Sequence, residues 1–321
     1  MLRKKQKEIK REKTRRKKSK MNKWFNEKLE RGNIRKHILR PIKKNRFLSF
    51  SRKLSITNWI ILINFAIFII VRLLMLSFGE DYIMDLVALK ANSFFSGSYW
   101  TVFTSMFVHV LPVHLIFNMI SLFFVGNFLE RIVGRKKYLR FYIISGLFAG
   151  LFYVILSFYF GNTDIGAKIF VDPNIPAVGA SGAIFGVAGL LAVLTPYMQI
   201  YFIIGPLIAI IIQLMLDKII QNAAIVSFLN LIITIYIFFS IFAMFSFSDR
   251  VRKIVIPVAM PLWFLPFVAI PPLVIIGLIF PLPIGNTAHL GGLIAGLFYG
   301  YYLRQKYKKK TRILREHFRE F

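Results

Sequence analysis

Four polar side chains stand inside apolar stretches of this 321-residue chain, and their types and spacing suit acyl transfer. Ser181 lies near the start of Ala177 to Pro196, AVGASGAIFGVAGLLAVLTP, a run apolar enough for a bilayer. His114 and Asn118 are four residues apart in VHLIFNMISL, so both point from one helix face. His289 opens the last apolar run. An imidazole that accepts the serine proton makes the hydroxyl a useful nucleophile, and the same imidazole can then protonate a leaving amine. A tetrahedral intermediate needs donors aimed at its oxyanion. The Asn118 amide and the His114 ring offer two. The Ser181 backbone N–H offers a third if a helix starts near Gly179, because first-turn N–H groups lack intrahelical acceptors and sit at the positive end of the dipole.

Helix rise puts these groups at one level. Ser181 is about 15 steps, or roughly 22 Å, from Pro196, and His289 is equally far from Arg304. Measured from Glu130, His114 and Asn118 come out at roughly 24 and 18 Å. A hydrocarbon core is about 30 Å thick, so the four groups are recessed below a membrane surface. Polar groups there are expensive and usually have a reason. Gly182 and Gly186 on the serine run, and Gly292, Gly296 and Gly300 on the histidine run, form small-residue faces that let two backbones approach. Alone, these glycines would indicate ordinary packing, as would a single Ser, His or Asn. Their co-occurrence at one depth favours a site.

The elements that must carry them are transmembrane helices. With 56% hydrophobic residues in repeated apolar runs, the sequence predicts an all-α polytopic membrane protein. Spans are expected near 56–78, 108–129, 138–160, 179–196, 199–217, 219–247, 254–280 and 285–303, eight in all. A six-span reading, with 199–247 partly in the interface, has the same parity. Five prolines between Pro257 and Pro272 predict a kinked seventh span. Cysteine is absent, which excludes disulfides, thiolate nucleophiles and Cys-based metal sites. No cofactor and no metal is called for. No cleavable signal peptide is visible, since the first apolar run begins near Ile56.

The net charge of +29 resides largely in the tails. Residues 1–55 are a basic tail, with only four acidic residues up to Lys53. This tail reads as a solvated cytoplasmic segment, or as one that holds anionic lipid headgroups. A short helix is expected at Met21–Leu39. Nucleic-acid binding is disfavoured, because aromatic interleaving is sparse and no module is recognisable. The positive-inside bias puts both termini in the cytoplasm of a multi-pass cell-membrane protein, with Ser181 toward the outer face. The basic turn SDRVRK at 248–253 and the C-terminal tail 304–321 also land inside.

At these residues the sequence resembles the rhomboid family of intramembrane serine proteases. The matching pieces are TSMFVHVLPVHLIFNMISL at 104–122, GNFLERIVG at 126–134, GASGAIFG at 179–186 and AHLGGLIAG at 288–296. The resemblance implies a six-helix core within a membrane domain at 56–303, with an inserted helical pair at about 197–250. It implies a Ser181–His289 dyad without aspartate, and an oxyanion hole from His114, Asn118 and the serine backbone. Phe185 would stack on the catalytic imidazole, while Gly179 and Gly182 would give the serine turn its room. His109 would serve structure or water organisation rather than chemistry, and Glu130 would cap or tie the inner loop. The 254–280 run would act as a substrate gate. One departure is that Trp100 is followed by Thr101 where the family often has arginine, so that outer-loop anchor is missing.

The function implied is an endopeptidase that cuts transmembrane protein substrates near their outer ends. The rivals are an inactive rhomboid-like protein that binds membrane clients, and a transporter using the polar cluster as a binding site. The intact serine, histidines and asparagine weigh against both.

Overall fold

The structure is a computed structural model that describes residues 54–244, 257–271, 274–275, 278 and 285–319. Most of the basic N-terminal tail with its expected helix at Met21–Leu39, the turn 248–253, and parts of the 254–280 run lie outside the described residues. Three helices among the described residues are long and apolar enough to cross a membrane. They are α1 (Ile56–Phe78), α2 (Pro112–Val133) and α3 (Arg135–Phe160). Four of the five other expected spans contain helices α4 (Ser181–Leu194), α5 (Ile204–Ile219), α6 (Ala223–Met244) and α7 (Asn286–Lys306), and the eight-span count is not established.

Local chemistry sets the helix ends. The Ser55 hydroxyl caps α1 by accepting from the Asn58 N–H at 3.1 Å, and Gly79 at φ +89° ends it. Pro112 supplies the first turn of α2, where its missing N–H costs nothing, so this helix starts later than the expected 108. A π-turn over Leu122–Gly126 interrupts it. On α1, Ile69, Leu73 and Leu76 are exposed while Ile60, Val71 and Met75 are buried, the pattern of a helix with one side toward lipid.

α4 is apolar all round, and such a helix belongs in the interior. Val187, Leu190 and Leu191 are fully buried and join Leu122, Leu129, Tyr138 and Tyr142 in the main core. Ser181 therefore stands on the helix that the other helices surround.

The segment between α1 and α2 is more structured than a loop, with short helices at Glu80–Val87, Ala91–Phe95 and Thr101–Thr104. It is held without an arginine after Trp100. The Trp100 indole N–H donates to the Leu86 carbonyl at 2.9 Å, and the Thr104 hydroxyl to the Val87 carbonyl at 2.8 Å. Leu89 and Ala177 exchange two main-chain hydrogen bonds of 3.0 and 2.9 Å, joining this segment to the approach to Ser181.

Two features differ from the sequence expectation. Residues Gln199–Ile203 form strand β1 and Pro257–Pro261 form strand β2, paired antiparallel with Gln199 opposite Pro261 and Ile203 opposite Pro257. The expected span at 199–217 thus begins as a strand, and the first described residues of the 254–280 run form one too. Short apolar runs do not distinguish strand from helix by periodicity, which is why the sequence reading took them as helical. The ladder brackets the α5–α6 pair, which packs on itself and carries a Gln213 to Thr234 side-chain bond of 3.3 Å. After β2 the chain turns through Leu262–Phe264 into a short helix, Leu265–Ala269. The second difference is at the C-terminus. The expected tail continues as helix α8 (Lys308–His317), with Thr311 buried, Leu314 packed against the core, and the Arg315 and Arg319 guanidinium groups over the Tyr197 ring at 5.9 and 5.6 Å.

Candidate active site

The site begins with the contact between α4 and α7. A Cβ placed on Gly292 would collide with the Gly182 carbonyl oxygen, and one on Gly296 with that of Gly186. The two backbones therefore touch along their glycine faces, as the spacing anticipates. His289 lies three residues before Gly292, on the face that α7 turns to α4. The close approach brings its Nε2 to 2.8 Å from the Ser181 hydroxyl oxygen, across 108 residues of sequence. With the ring proton on Nδ1, the serine hydroxyl donates and the imidazole Nε2 accepts. Among the described residues, His289 Nδ1 has no hydrogen-bond partner, a carboxylate included. Phe185, one turn after Ser181, stacks on the His289 ring with centroids 4.3 Å apart and planes 14° from parallel. It fixes the ring about an axis that hydrogen bonding to Ser181 leaves free.

The second half of the candidate site lies before Ser181. Gly179 adopts φ +122°, which side-chain-bearing residues rarely reach. A Cβ there would also come within 2.7 Å of His114 Cε1, 3.0 Å of its Nε2 and 3.5 Å of Asn118 Nδ2. Glycine thus lets the chain pass directly beside the two side chains singled out as oxyanion donors. The Gly179 N–H is held by the Ser105 carbonyl at 2.8 Å. α4 starts at Ser181 with Ala180 as N-cap, and its first intrahelical bond runs from the Ile184 N–H to the Ala180 carbonyl at 3.0 Å. The Ser181 N–H consequently has no acceptor within the helix. A hydroxyl bonded to an imidazole, with the His114 and Asn118 side chains beside Gly179 two residues earlier, is an arrangement suited to acyl transfer.

The structure gathers Ser181, His289, Phe185, Gly179, Gly182, His114 and Asn118 into one place. His109 joins them too. Its ring is fully buried, and its Nε2 lies 3.1 Å from Asn118 Nδ2 and 3.4 Å from the Ala180 nitrogen. Ser105, which holds Gly179, was not anticipated, because a main-chain carbonyl leaves no trace in residue type. Ser145 was also missed. A Cβ on Gly186 would meet its side chain at 2.7 Å, so it packs α3 on the glycine face of α4. Glu130 does serve as a cap, and the helix it caps is α1. Its carboxylate accepts from the Ile56 N–H, the Thr57 N–H and the Thr57 hydroxyl at 2.9, 2.9 and 2.8 Å.

Comparison with known proteins points the same way. The Rhomboid domain matches residues 96–237 and 233–306, together well over half of the chain. Over 139 residues the chain is 34% identical to rhomboid protease AarA of Providencia stuartii, covering 42% of this chain and 49% of that protein. It is 31% identical over 145 residues to RHOMBOID-like protein 12, mitochondrial, of Arabidopsis thaliana, covering 44% and 42%. It is 32% identical over 103 residues to rhomboid protease GluP of Bacillus subtilis, covering 32% of this chain and 17% of that protein. The matched region spans about half the length of these curated relatives, or less. With a family match of this extent placed on the helices that build the site, the chain belongs to the rhomboid family.

Proposed function

We propose that this membrane protein is an intramembrane serine endopeptidase that hydrolyses peptide bonds in or near transmembrane segments of membrane-protein substrates. The observation that carries the reading is the 2.8 Å contact between Ser181 Oγ and His289 Nε2. In the first half-reaction, Ser181 Oγ attacks the scissile carbonyl carbon while His289 Nε2 takes the hydroxyl proton. The carbonyl oxygen becomes an oxyanion that accepts hydrogen bonds from the His114 ring, the Asn118 amide and the Ser181 N–H. His289 returns its proton to the amine as the C–N bond breaks, leaving an acyl-enzyme on Ser181. In the second half, His289 takes a proton from water, the hydroxide attacks the ester carbon, and collapse releases the carboxylic acid and restores the serine. Phe185 holds the imidazole in plane through both halves.

The same reading covers the layout. Eight spans, with both termini cytoplasmic, put Ser181 toward the exterior of the cell membrane, where water can reach it. The helices within 197–250 are an insertion into a six-helix core, and the basic tail 1–55 is a solvated cytoplasmic segment, with contact to anionic lipid headgroups as the alternative. An inactive client-binding protein would leave the Ser–His contact and the glycine beside the donors without a purpose. The test is cleavage of a transmembrane substrate in proteoliposomes by wild type and Ser181→Ala. Cleavage by wild type alone is expected. Equal cleavage by both, or none by either across a substrate panel, would end the proposal.

A further inference from the structure

His109 precedes α2 in the turn after Ser105–Phe107, and no part of the proposed mechanism uses it. Its Nε2 is approached by the Ala180 N–H, which can only donate, at 3.4 Å, and by the Asn118 amide at 3.1 Å. That nitrogen must therefore be unprotonated, with the ring proton on Nδ1. The consequence for Asn118 is decisive. An asparagine amide can present either its oxygen or its nitrogen after a half-turn. Because Nδ2 is drawn toward His109, one of its hydrogens is used there and the second remains for the pocket beside Gly179. Turned the other way, Oδ1 would face the oxyanion and repel it.

The Ala180 contact acts on the same pocket from the other side. The Ala180 N–H is tied to His109 and the Gly179 N–H to the Ser105 carbonyl, so the peptides leading into Ser181 are fixed. The next peptide carries the Ser181 N–H, and its carbonyl on Ala180 accepts from the Ile184 N–H at 3.0 Å. One imidazole nitrogen thus acts directly on one oxyanion donor, Asn118, and on the peptide next to the one that carries another. Burial of the ring excludes water as a substitute acceptor.

We propose that His109 is a positioning residue for the oxyanion pocket, orienting the Asn118 amide and the Ala180 peptide through a single accepting Nε2. The proposal rests on the protease reading above. Its test is steady-state kinetics in proteoliposomes with a transmembrane substrate, with thermal melts in detergent. The variants are His109→Phe, His109→Gln, His109→Asn, Asn118→Ala and the double variant His109→Phe with Asn118→Ala. Glutamine carries an acceptor at about the position of Nε2, whereas asparagine falls short of it. His109→Phe and His109→Asn should lower kcat roughly 10- to 100-fold with little change in KM, the scale of a lost oxyanion donor. His109→Gln should recover most of that kcat. In the Asn118→Ala background, His109→Phe should cost only a few-fold more, because its main route of action is gone.

Multiplicative losses in the double variant, or equal kcat for His109→Gln and His109→Asn, would overturn the proposal. So would a loss carried by KM. If His109→Phe does not fold, the Gln and Asn pair decides alone. The two readings fail differently. A wild type no better than Ser181→Ala sinks the protease assignment and this one with it, whereas cleavage through Ser181 with independent His109 and Asn118 effects sinks only this one.

Discussion

The contact between α4 and α7 lends itself to a single-methyl test, Gly292→Ala. The added Cβ would fall deep inside the van der Waals radius of the Gly182 carbonyl oxygen and 3.2 Å from the Gly186 nitrogen. Both neighbours are helix backbone and cannot swing aside, so α7 must withdraw as a body. Restoring ordinary contact requires a shift of about 1 Å or more. His289 sits one turn away on the same face, and its 2.8 Å bond to Ser181 would lengthen beyond hydrogen-bond range. Misplacement on this scale costs on the order of 100-fold in rate, and loss of general-base assistance costs about 100- to 10,000-fold. The assay is kcat on a transmembrane substrate in proteoliposomes, with fluorophosphonate labelling of Ser181 read beside it. Both should fall together. Gly285→Ala is the control, since its Cβ would meet only the Ala288 Cβ at an ordinary 3.8 Å, and it should remain near wild type. A Gly292→Ala variant with wild-type kcat and melting temperature would refute the claim that backbone contact is what sets the dyad.

Other expectations are read on separate observables. Phe185→Ala removes the ring stacked on His289, a contact worth about 1 kcal/mol, and should lower kcat roughly fivefold while Ser181 still labels. Glu130→Ala strands the Ile56 and Thr57 N–H groups and the Thr57 hydroxyl. It should lower stability by about 2–4 kcal/mol in detergent melts, with kcat per folded molecule unchanged. Tyr201 and Ala259 are Cα partners in the ladder, and partners in such a pair lie about 4.5–5.5 Å apart, within disulfide reach. In this cysteine-free chain, Tyr201→Cys with Ala259→Cys should oxidise intramolecularly, seen by intact mass and alkylation. Failure to oxidise would show that the strands do not pair in this register.

Much of the site was legible in the sequence because helix periodicity turns spacing into geometry. His114 and Asn118 share a face at any four-residue separation. Depth follows from rise, so Ser181, His289 and the two donors could be placed at one level before any fold was known. Hydropathy alone indicated the membrane class. The glycines at 182, 186, 292 and 296 marked faces for close approach, but small residues say nothing about which helices meet. Only the tertiary structure decided that. The contact across 108 residues, the +122° turn at Gly179 and the two donors shared by His109 Nε2 are all products of packing between distant segments. The β1–β2 ladder was hidden for the same reason. Its strands are short apolar runs whose hydrogen-bond partners lie beyond an intervening helical pair, and local pattern carries no information about a partner that far along the chain.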